Sequence, residues 1–534
     1  MAQAGAAAIL GARRAARAGR RRSPAALLAA AAAAVILVLL PLAYTLSQAV
    51  RVRPADAAAL LFRPLVGELL FNTLTLVLAT TLLTALIGTA AAWFIERTTL
   101  PGRRIWAVLA AVPFAIPAFV TSYAWVSLSP ALQDFGGALL VVTCSYFPLV
   151  YLPVAAALRG MDPALEEVAR ALGESVWGVF RRVVLPQLRP ALLGGMLLVA
   201  LNTLVEFGAF ALLRFRTFTT QIYAQYRTGL DGPDSSLLAV ILIVLCLLCL
   251  SLERLARGRR RYARLGRGAM RAATPYSLGW ARWPVFAGFV ALAAVTLGVP
   301  LATLAYWTTR HASAATSPVA VSAASLASAT WSSLGLGLAG AGATLVLALP
   351  LGFLATRYEG RVITMMERAA YLAQGVPGIV VALALIALTV RGLRPLYQSA
   401  GLLILAYATL FLPLALVSVR AALAQVQPGQ EEAGRTLGLG WFAVLRRIIL
   451  PLAGPGLGAA LAMVFLSVVT ELTATLLLAP IGTRTLATQV WSNTSALAFA
   501  AAAPFAAMMA LISLLSTWLL ARRFGAAGVF VSHR

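Results

Sequence analysis

The residues whose types and spacing could do chemistry fall first into two short acidic segments. Glu166-Glu167-Val168-Ala169-Arg170-Ala171-Leu172-Gly173 leads to Leu185-Pro186, and Glu431-Glu432-Ala433-Gly434-Arg435-Thr436-Leu437-Gly438 leads to Leu450-Pro451 at the same spacing. Neither segment offers a nucleophile beside a base, a His/Cys cluster or a pair of catalytic carboxylates, so enzymatic chemistry finds no support. What remains is recognition by charge and helix-end geometry. Two further acids stand apart: of seventeen, Glu206 and Glu471 alone lie well inside long apolar runs, 39 residues after Glu167 and Glu432, while Glu367 stands at the first residue of one. A charge at such a depth costs at least a few kcal/mol, so these carboxylates are expected to face a cavity or a partner. One reading has them line a path and favour a cation; the other has them cap helix contacts or pair with Arg214 or Arg216. No metal site is assigned. His311 and His533 are isolated, and Cys144, Cys246 and Cys249 lie in apolar runs, where a thiol packs as a small hydrophobe.

These residues must be positioned by membrane helices. Of 534 residues 61% are hydrophobic and 11% charged, against roughly 25% charged in a soluble domain. The apolar runs are each about the 20 residues a helix needs to cross the hydrocarbon, and they lack the alternation of barrel strands. Twelve spans are predicted, near 26–50, 69–94, 105–129, 137–158, 190–213, 237–252, 284–308, 330–356, 367–390, 397–419, 453–479 and 496–521. The net charge of +26 is carried by 43 arginines without a lysine, so a phosphate loop ending in Gly-Lys-Ser/Thr is absent, and any ATP-driven work would need its hydrolysis on another chain. With the N-terminus inside, 33 of the 43 arginines fall on the cytoplasmic side, the orientation the positive-inside rule selects. The densest group, Arg254 to Arg271 with Arg259, Arg260 and Arg261, reads as a cytoplasmic linker near lipid headgroups rather than a nucleic-acid site. Arg13 and Arg14 before an alanine-rich run resemble an export signal, but the run 25–50 is longer than a signal core and is expected to be retained.

The chain is a tandem duplication at an offset of 265: ten of 21 positions between 166 and 186 are identical in the second copy, Arg181-Arg182-Val183-Val184-Leu185-Pro186 returning as Arg446-Arg447-Ile448-Ile449-Leu450-Pro451. Ile116-Pro117 likewise answers Val376-Pro377, and Thr217-Phe218-Thr219-Thr220-Gln221 answers Thr485-Leu486-Ala487-Thr488-Gln489. Six spans lie between the acidic loops, so both emerge on one face and the halves are parallel repeats. The organisation is a basic cytoplasmic N-terminus (1–25), a first six-helix repeat (26–252, loop 159–189), the linker (253–283), a second six-helix repeat (284–521, loop 420–452) and a cytoplasmic tail (522–534). Each loop reads as two short helices joined at a glycine. Glu166 with Arg170 and Glu431 with Arg435 support the first helix at i, i+4, and Gly173 and Gly438 suit its left-handed end. Val176, Trp177, Val179, Phe180, Val183 and Val184 then draw one apolar stripe, as do Trp441, Phe442, Val444, Leu445, Ile448 and Ile449. A loop kept twice with one charge pattern fits a docking element for a two-fold symmetric partner better than a helix lying on headgroups.

The spacing from glutamate to glycine to Leu-Pro resembles the cytoplasmic "EAA" loop of permeases of binding-protein-dependent ABC importers, with Val168 and Gly434 as small departures. The resemblance implies an all-α, polytopic type I importer permease of twelve helices. It makes Glu167, Ala169, Gly173, Leu185 and Pro186, with Glu432, Gly438, Leu450 and Pro451, the contacts that couple the chain to an ATP-binding cassette ATPase. It further implies two ATPase copies, an extracytoplasmic substrate-binding protein, an inner-membrane location, and no cofactor on this chain, ATP being used by the partner. Asn72-Thr73-Leu74, Leu100-Pro101-Gly102-Arg103-Arg104, Glu206-Phe207-Gly208-Ala209, Thr217 to Tyr223, Glu471-Leu472-Thr473-Ala474-Thr475 and Thr485-Leu486-Ala487-Thr488 are similar to fused iron(III) importer permeases. Hard oxygen ligands at Glu206 and Glu471 would suit a ferric ion. Permeases for thiamine and aminoethylphosphonate share this layout, and a secondary transporter of six plus six helices is the rival class.

Overall fold

A computed structural model describes residues 24–229, 232–257, 274–310 and 321–524. Most of the linker arginines (Arg259, Arg260 and Arg261 among them), Arg13, Arg14, both histidines and the tail beyond 524 lie outside the described residues. Among the described residues the fold is all-α, and the sole bridge outside helices joins Thr98 to Tyr276. Among the described residues ten helices are long and apolar enough to cross a membrane, and the number rises to twelve when each of two bent pairs is taken as one span.

The bent pairs correct the expected straight spans 105–129 and 367–390. Arg103–Ala115 meets Ala118–Leu128 at 91°, and Arg361–Gly375 is likewise followed by a separate helix, Gly378–Gly392. The breaks fall at Ile116-Pro117 and Val376-Pro377. A proline holds the residue before it in extended backbone, and Ile116 has φ −91° and ψ 120°. The repeated Ile-Pro and Val-Pro were therefore the signal of a corner. Spans 190–213 and 453–479 are corrected too: the continuous helices run Val176–Val205 and Phe442–Val469 and stop at Glu206 and just before Glu471.

The chain forms two compact units that do not follow the two sequence repeats. One draws on the chain up to Leu42, Leu338–Gln374 and Ile404–Val468; the other on Ala43–Gly337, Gly375–Leu403 and the chain from Val469. In the larger unit the 34-residue helix Pro64–Arg97 packs on Pro148–Gly160 and Leu185–Val205 around Phe147, Val150, Val154, Leu158 and Leu188. Small residues make that contact close: a Cβ on Gly88 would sit 2.9 Å from Tyr151 N, and one on Gly195 2.8 Å from the Val150 Cα. Close backbone approach of this kind drives helix association in lipid, where burial of apolar surface gives little. Gly88→Val is expected to cost about 1–3 kcal/mol, read as a lower unfolding temperature in detergent. Gly67→Val on the same helix, where the new Cβ meets nothing within 4 Å, is the control. A second core in this unit joins Phe119, Val120 and Tyr123 to Leu472, Leu486, Val490, Phe505 and Met509. Within the smaller unit Gly352 approaches Val419 and Gly456 approaches Ala422 in the same manner.

Candidate functional site

Each acidic loop begins with a helix whose first turn carries the glutamates, Ala164–Ala171 and Pro428–Thr436. Asp162 accepts the Ala164 N–H at 3.0 Å, and Gln430 Oε1 accepts the Gln427 N–H at 3.2 Å, so a donor left free at each helix start is satisfied. Both helices end on a left-handed glycine: φ is +87° at Gly173 and +82° at Gly438. Gly173 N–H donates to Arg170 O and Glu174 N–H to Ala169 O; Gly438 N–H and Leu439 N–H repeat this on Arg435 O and Gly434 O. This paired termination fixes the exit direction of the chain twice over.

Beyond the glycine, the expected second short helix is instead continuous with the span. Val176–Val179 and Trp441–Val444 pass through a widened π turn, Phe180–Val184 and Leu445–Ile449, into Leu185–Val205 and Leu450–Val469. Pro186 and Pro451 explain the widening. Each lacks an N–H and its ring crowds the carbonyl four residues back, so the helix relaxes there to bonds five residues long, Leu185 N–H to Phe180 O and Leu450 N–H to Leu445 O. The apolar stripe is split as a result. Val179, Val184, Val444 and Ile449 are buried, whereas Trp177 is 67% and Phe442 73% exposed. Leu172 and Leu437, at the ends of the glutamate helices, are 80% and 83% exposed. Each loop thus presents a leucine and an aromatic residue at repeat-equivalent positions, with Arg181 and Arg182, or Arg446 and Arg447, exposed alongside.

Glu166 and Glu431 do not make the expected pairs with Arg170 and Arg435. Both are 4% exposed and turn inward. Glu166 pairs at 2.9 Å with Arg97, whose Nη2 also donates to Leu158 O; Glu431 accepts from Arg357 Nε at 2.7 Å, and Arg357 Nη2 donates to Leu423 O and Val426 O. A buried carboxylate is tolerated only with a hydrogen-bonded counter-charge, and a surface pair four residues along a helix cannot supply one there. Reasoning from the loop alone missed Arg97 and Arg357. The signal was present: each closes a long helix, Pro64–Arg97 or Ala323–Arg357, that lies two spans ahead of its loop. Glu167 is partly exposed and Glu432 exposed, so the glutamates divide into an inward anchor and an outward one. Ala169 is buried, and Gly434 takes its place in the second copy because a Cβ there would run into Ile448. Leu185 is half-buried, and Pro186, Leu450 and Pro451 are exposed.

The two intramembrane carboxylates lie in helix breaks within the larger unit. Glu206 Oε1 accepts the Ala209 N–H at 2.9 Å and Oε2 accepts the Tyr146 hydroxyl at 2.6 Å; Glu471 Oε1 accepts the Ala474 N–H at 2.9 Å. Each carboxylate therefore caps the short helix that follows it, Gly208–Leu212 or Thr473–Leu478. Neither pairs with Arg214 or Arg216; Arg216 lies 3.8 Å from Glu68. The breaks pack against one another: a Cβ on Gly208 would stand 2.8 Å from Leu472, and the Phe207 ring is 5.4 Å from that of Trp491. The Thr219 and Thr475 hydroxyls donate to the Glu206 and Glu471 carbonyls, so in each break a threonine takes up the carbonyl of the acid. Among the described residues no cluster of three His, Cys, Asp or Glu side chains could hold a metal.

Two loops of one geometry, each leading into a spanning helix that ends at or just before an acid, describe a polytopic membrane protein with a duplicated surface loop. The match to known proteins agrees: the model of the binding-protein-dependent transport system inner membrane component family fits residues 100–261 and again 348–523, and the chain belongs to that family as a fused, two-domain permease of the inner membrane. It is 36% identical over 482 residues, 90% of its length and 95% of the other's, to the Fe(3+)-transport system permease protein FbpB 2 of Haemophilus influenzae. It is 29% identical over 187 residues, 32% of its length and 68% of the other's, to the sulfate transport system permease protein CysT of Escherichia coli. Against the molybdenum transport system permease protein ModB of the same organism the figures are 30% over 154 residues, 26% and 65%.

Proposed function

We propose that this permease carries ferric iron inward, received from an extracytoplasmic binding protein and driven by two copies of an ATPase subunit, one seated on each acidic loop. The observation that carries the reading is the likeness to a fused Fe(3+) permease along nine-tenths of the chain, where the sulfate and molybdenum permeases match about a third of it or less. ATP is bound and hydrolysed by the partner, and this chain holds no cofactor. Both termini and both loops are cytoplasmic, in keeping with the arginine distribution, and the arginine-rich linker meets lipid headgroups rather than nucleic acid.

Glu167, Ala169, Gly173, Leu185 and Pro186, and Glu432, Gly438, Leu450 and Pro451, form the two seats. Leu172, Trp177, Leu437 and Phe442 supply the exposed apolar contacts that a desolvated docking patch needs. Closing of the ATPase dimer favours one of two arrangements of the helices joined to the loops, and the binding protein favours it from the other side. Uptake of radiolabelled iron, thiamine, aminoethylphosphonate and sulfate by cells carrying the permease with its ATPase and binding protein tests the substrate. Only iron is expected to enter. Uptake that continues without the ATPase is the outcome of the secondary-transporter rival.

Glu206 and Glu471 are proposed to line the path. Glutamine keeps an oxygen for the Ala209 and Ala474 N–H groups and removes the charge, and at position 206 its amide donates to the Tyr146 hydroxyl oxygen in place of accepting from it, so Glu206→Gln with Glu471→Gln separates capping from passage. The path reading expects iron uptake to fall at least tenfold with the protein still present in the membrane. Wild-type uptake would leave the two acids as caps.

A further inference from the structure

The two loops are anchored unequally, and the difference is one tyrosine from the segment that joins the repeats. Tyr276 is 7% exposed. Its backbone clasps the end of the helix Pro64–Arg97: Tyr276 N–H donates to Arg97 O at 2.7 Å, Thr99 N–H donates to Tyr276 O at 3.0 Å, and Leu278 N–H donates to Thr99 Oγ1. Its hydroxyl reaches Glu166 Oε2 at 3.2 Å, the oxygen that Arg97 leaves free, and completes the inward anchor of the first loop. Its ring lies 5.6 Å from Trp93 in a stacked pair, and the Arg170 guanidinium sits 5.0 Å above it. Trp93 in turn meets Phe180 edge-on at 4.9 Å, and Phe180 stacks on the exposed Trp177 at 5.4 Å. The contacts form one continuous series from linker to loop surface. Burial, then the charge and hydrogen bond of Glu166, pushes the Tyr276 phenol up to about 12, so it remains a donor across the physiological range. In the second loop Glu431 is held by Arg357, itself tied to the carbonyls of Leu423 and Val426, with no tyrosine from a joining segment among the described contacts.

We infer that Tyr276 is a positioning residue for the first loop: it holds the helix Ala164–Ala171 and the Trp177 tip in the geometry that receives the ATPase, which makes coupling through the first loop depend on the linker and coupling through the second independent of it. The packing supports this in three ways: the ring meets the glutamate helix at Arg170 and reaches the π turn through Trp93, a cation over an aromatic face is attractive, and among the described residues the second copy shows no such series. The inference rests on the loops being ATPase seats.

Two readouts on the full complex in lipid nanodiscs test it. Hydrogen exchange of the amides of 164–171 is expected to speed up at least tenfold in Tyr276→Ala and about threefold in Tyr276→Phe, which keeps the ring, while 428–436 stays at the wild-type rate. Substrate moved per ATP hydrolysed is expected to fall in the same order, with Tyr276→Phe close to wild type. Unchanged exchange in the first loop overturns the positioning role, and so does an equal rise in both loops, which marks general loosening. If Tyr276→Ala does not accumulate, Tyr276→Phe decides: wild-type exchange at 164–171 overturns the inference. A first loop that loosens while the transport ratio is unmoved overturns the coupling consequence and points at the seat assignment instead.

Discussion

Arg97→Ala is expected to abolish uptake and to destabilise the permease by about 3–5 kcal/mol, because it leaves Glu166 charged and unpaired at 4% exposure. The guanidinium does two things at once: it neutralises the carboxylate and donates to Leu158 O at the start of the loop. Removing it therefore strands a charge and frees the hinge of the loop. Arg97→Met with Glu166→Met separates the two effects. Replacing both members of a buried pair by apolar residues of similar volume is close to neutral for stability, so the double variant is expected to regain most of its unfolding temperature while remaining slow in transport. The check is thermal unfolding in detergent beside uptake. A single variant as stable as wild type would show that the pair carries no anchoring load. Arg357→Ala is expected to act in the same direction on the second loop, whose pair is similarly shielded.

Gly173→Val with Gly438→Val is expected to uncouple the transporter outright. Both positions have φ above +80°, where a Cβ costs roughly 1–2 kcal/mol and a β-branched side chain more. There is open space around both glycines, with nothing within 4 Å of an added Cβ, so a clash is not the cause; the strain is in the backbone. Relieving it requires giving up the Glu174 and Leu439 N–H bonds that set the exit direction, and Trp177 and Phe442 then leave their places. Binding-protein-stimulated ATP hydrolysis is expected to fall at least tenfold while the protein still inserts. Gly173→Asn with Gly438→Asn is expected to retain most of the activity, since asparagine tolerates the left-handed region. Equal loss in the valine and asparagine variants would shift the explanation from backbone geometry to direct contact at the glycines.

How much of this was legible in the sequence depends on whether the determining contact was local. Gly173 and Gly438 were readable because a helix end is decided by the residues within one turn of it. The continuous helix beyond Leu185-Pro186 and Leu450-Pro451 was misread as separate because a proline is ordinarily a boundary, and a single π turn absorbs it here. The breaks at Ile116-Pro117 and Val376-Pro377 were seen as repeats, while apolarity alone extended a span through each. Arg97, Arg357 and Tyr276 were not found because their partners are tens to more than a hundred residues away, and nothing in a local spacing marks a buried pair. For Glu206 and Glu471 the sequence leaves helix capping and pairing with Arg214 or Arg216 open beside the path reading, and no local spacing names the capping donors. The structure satisfies the two carboxylates with backbone N–H groups and, at Glu206, with Tyr146.

The duplicated loops are central to the account, and cysteine cross-linking reaches them most directly. Leu172→Cys and Leu437→Cys are placed singly in a chain whose Cys144, Cys246 and Cys249 are replaced by alanine, and the permease is expressed with its ATPase subunit and a cysteine scanned along the ATPase surface. Each loop cysteine is expected to cross-link to one ATPase copy, with yields that change on adding ATP. Absence of any cross-link from both positions in a complex that still transports, or labelling of either cysteine by an impermeant reagent added outside the cell, would contradict the account.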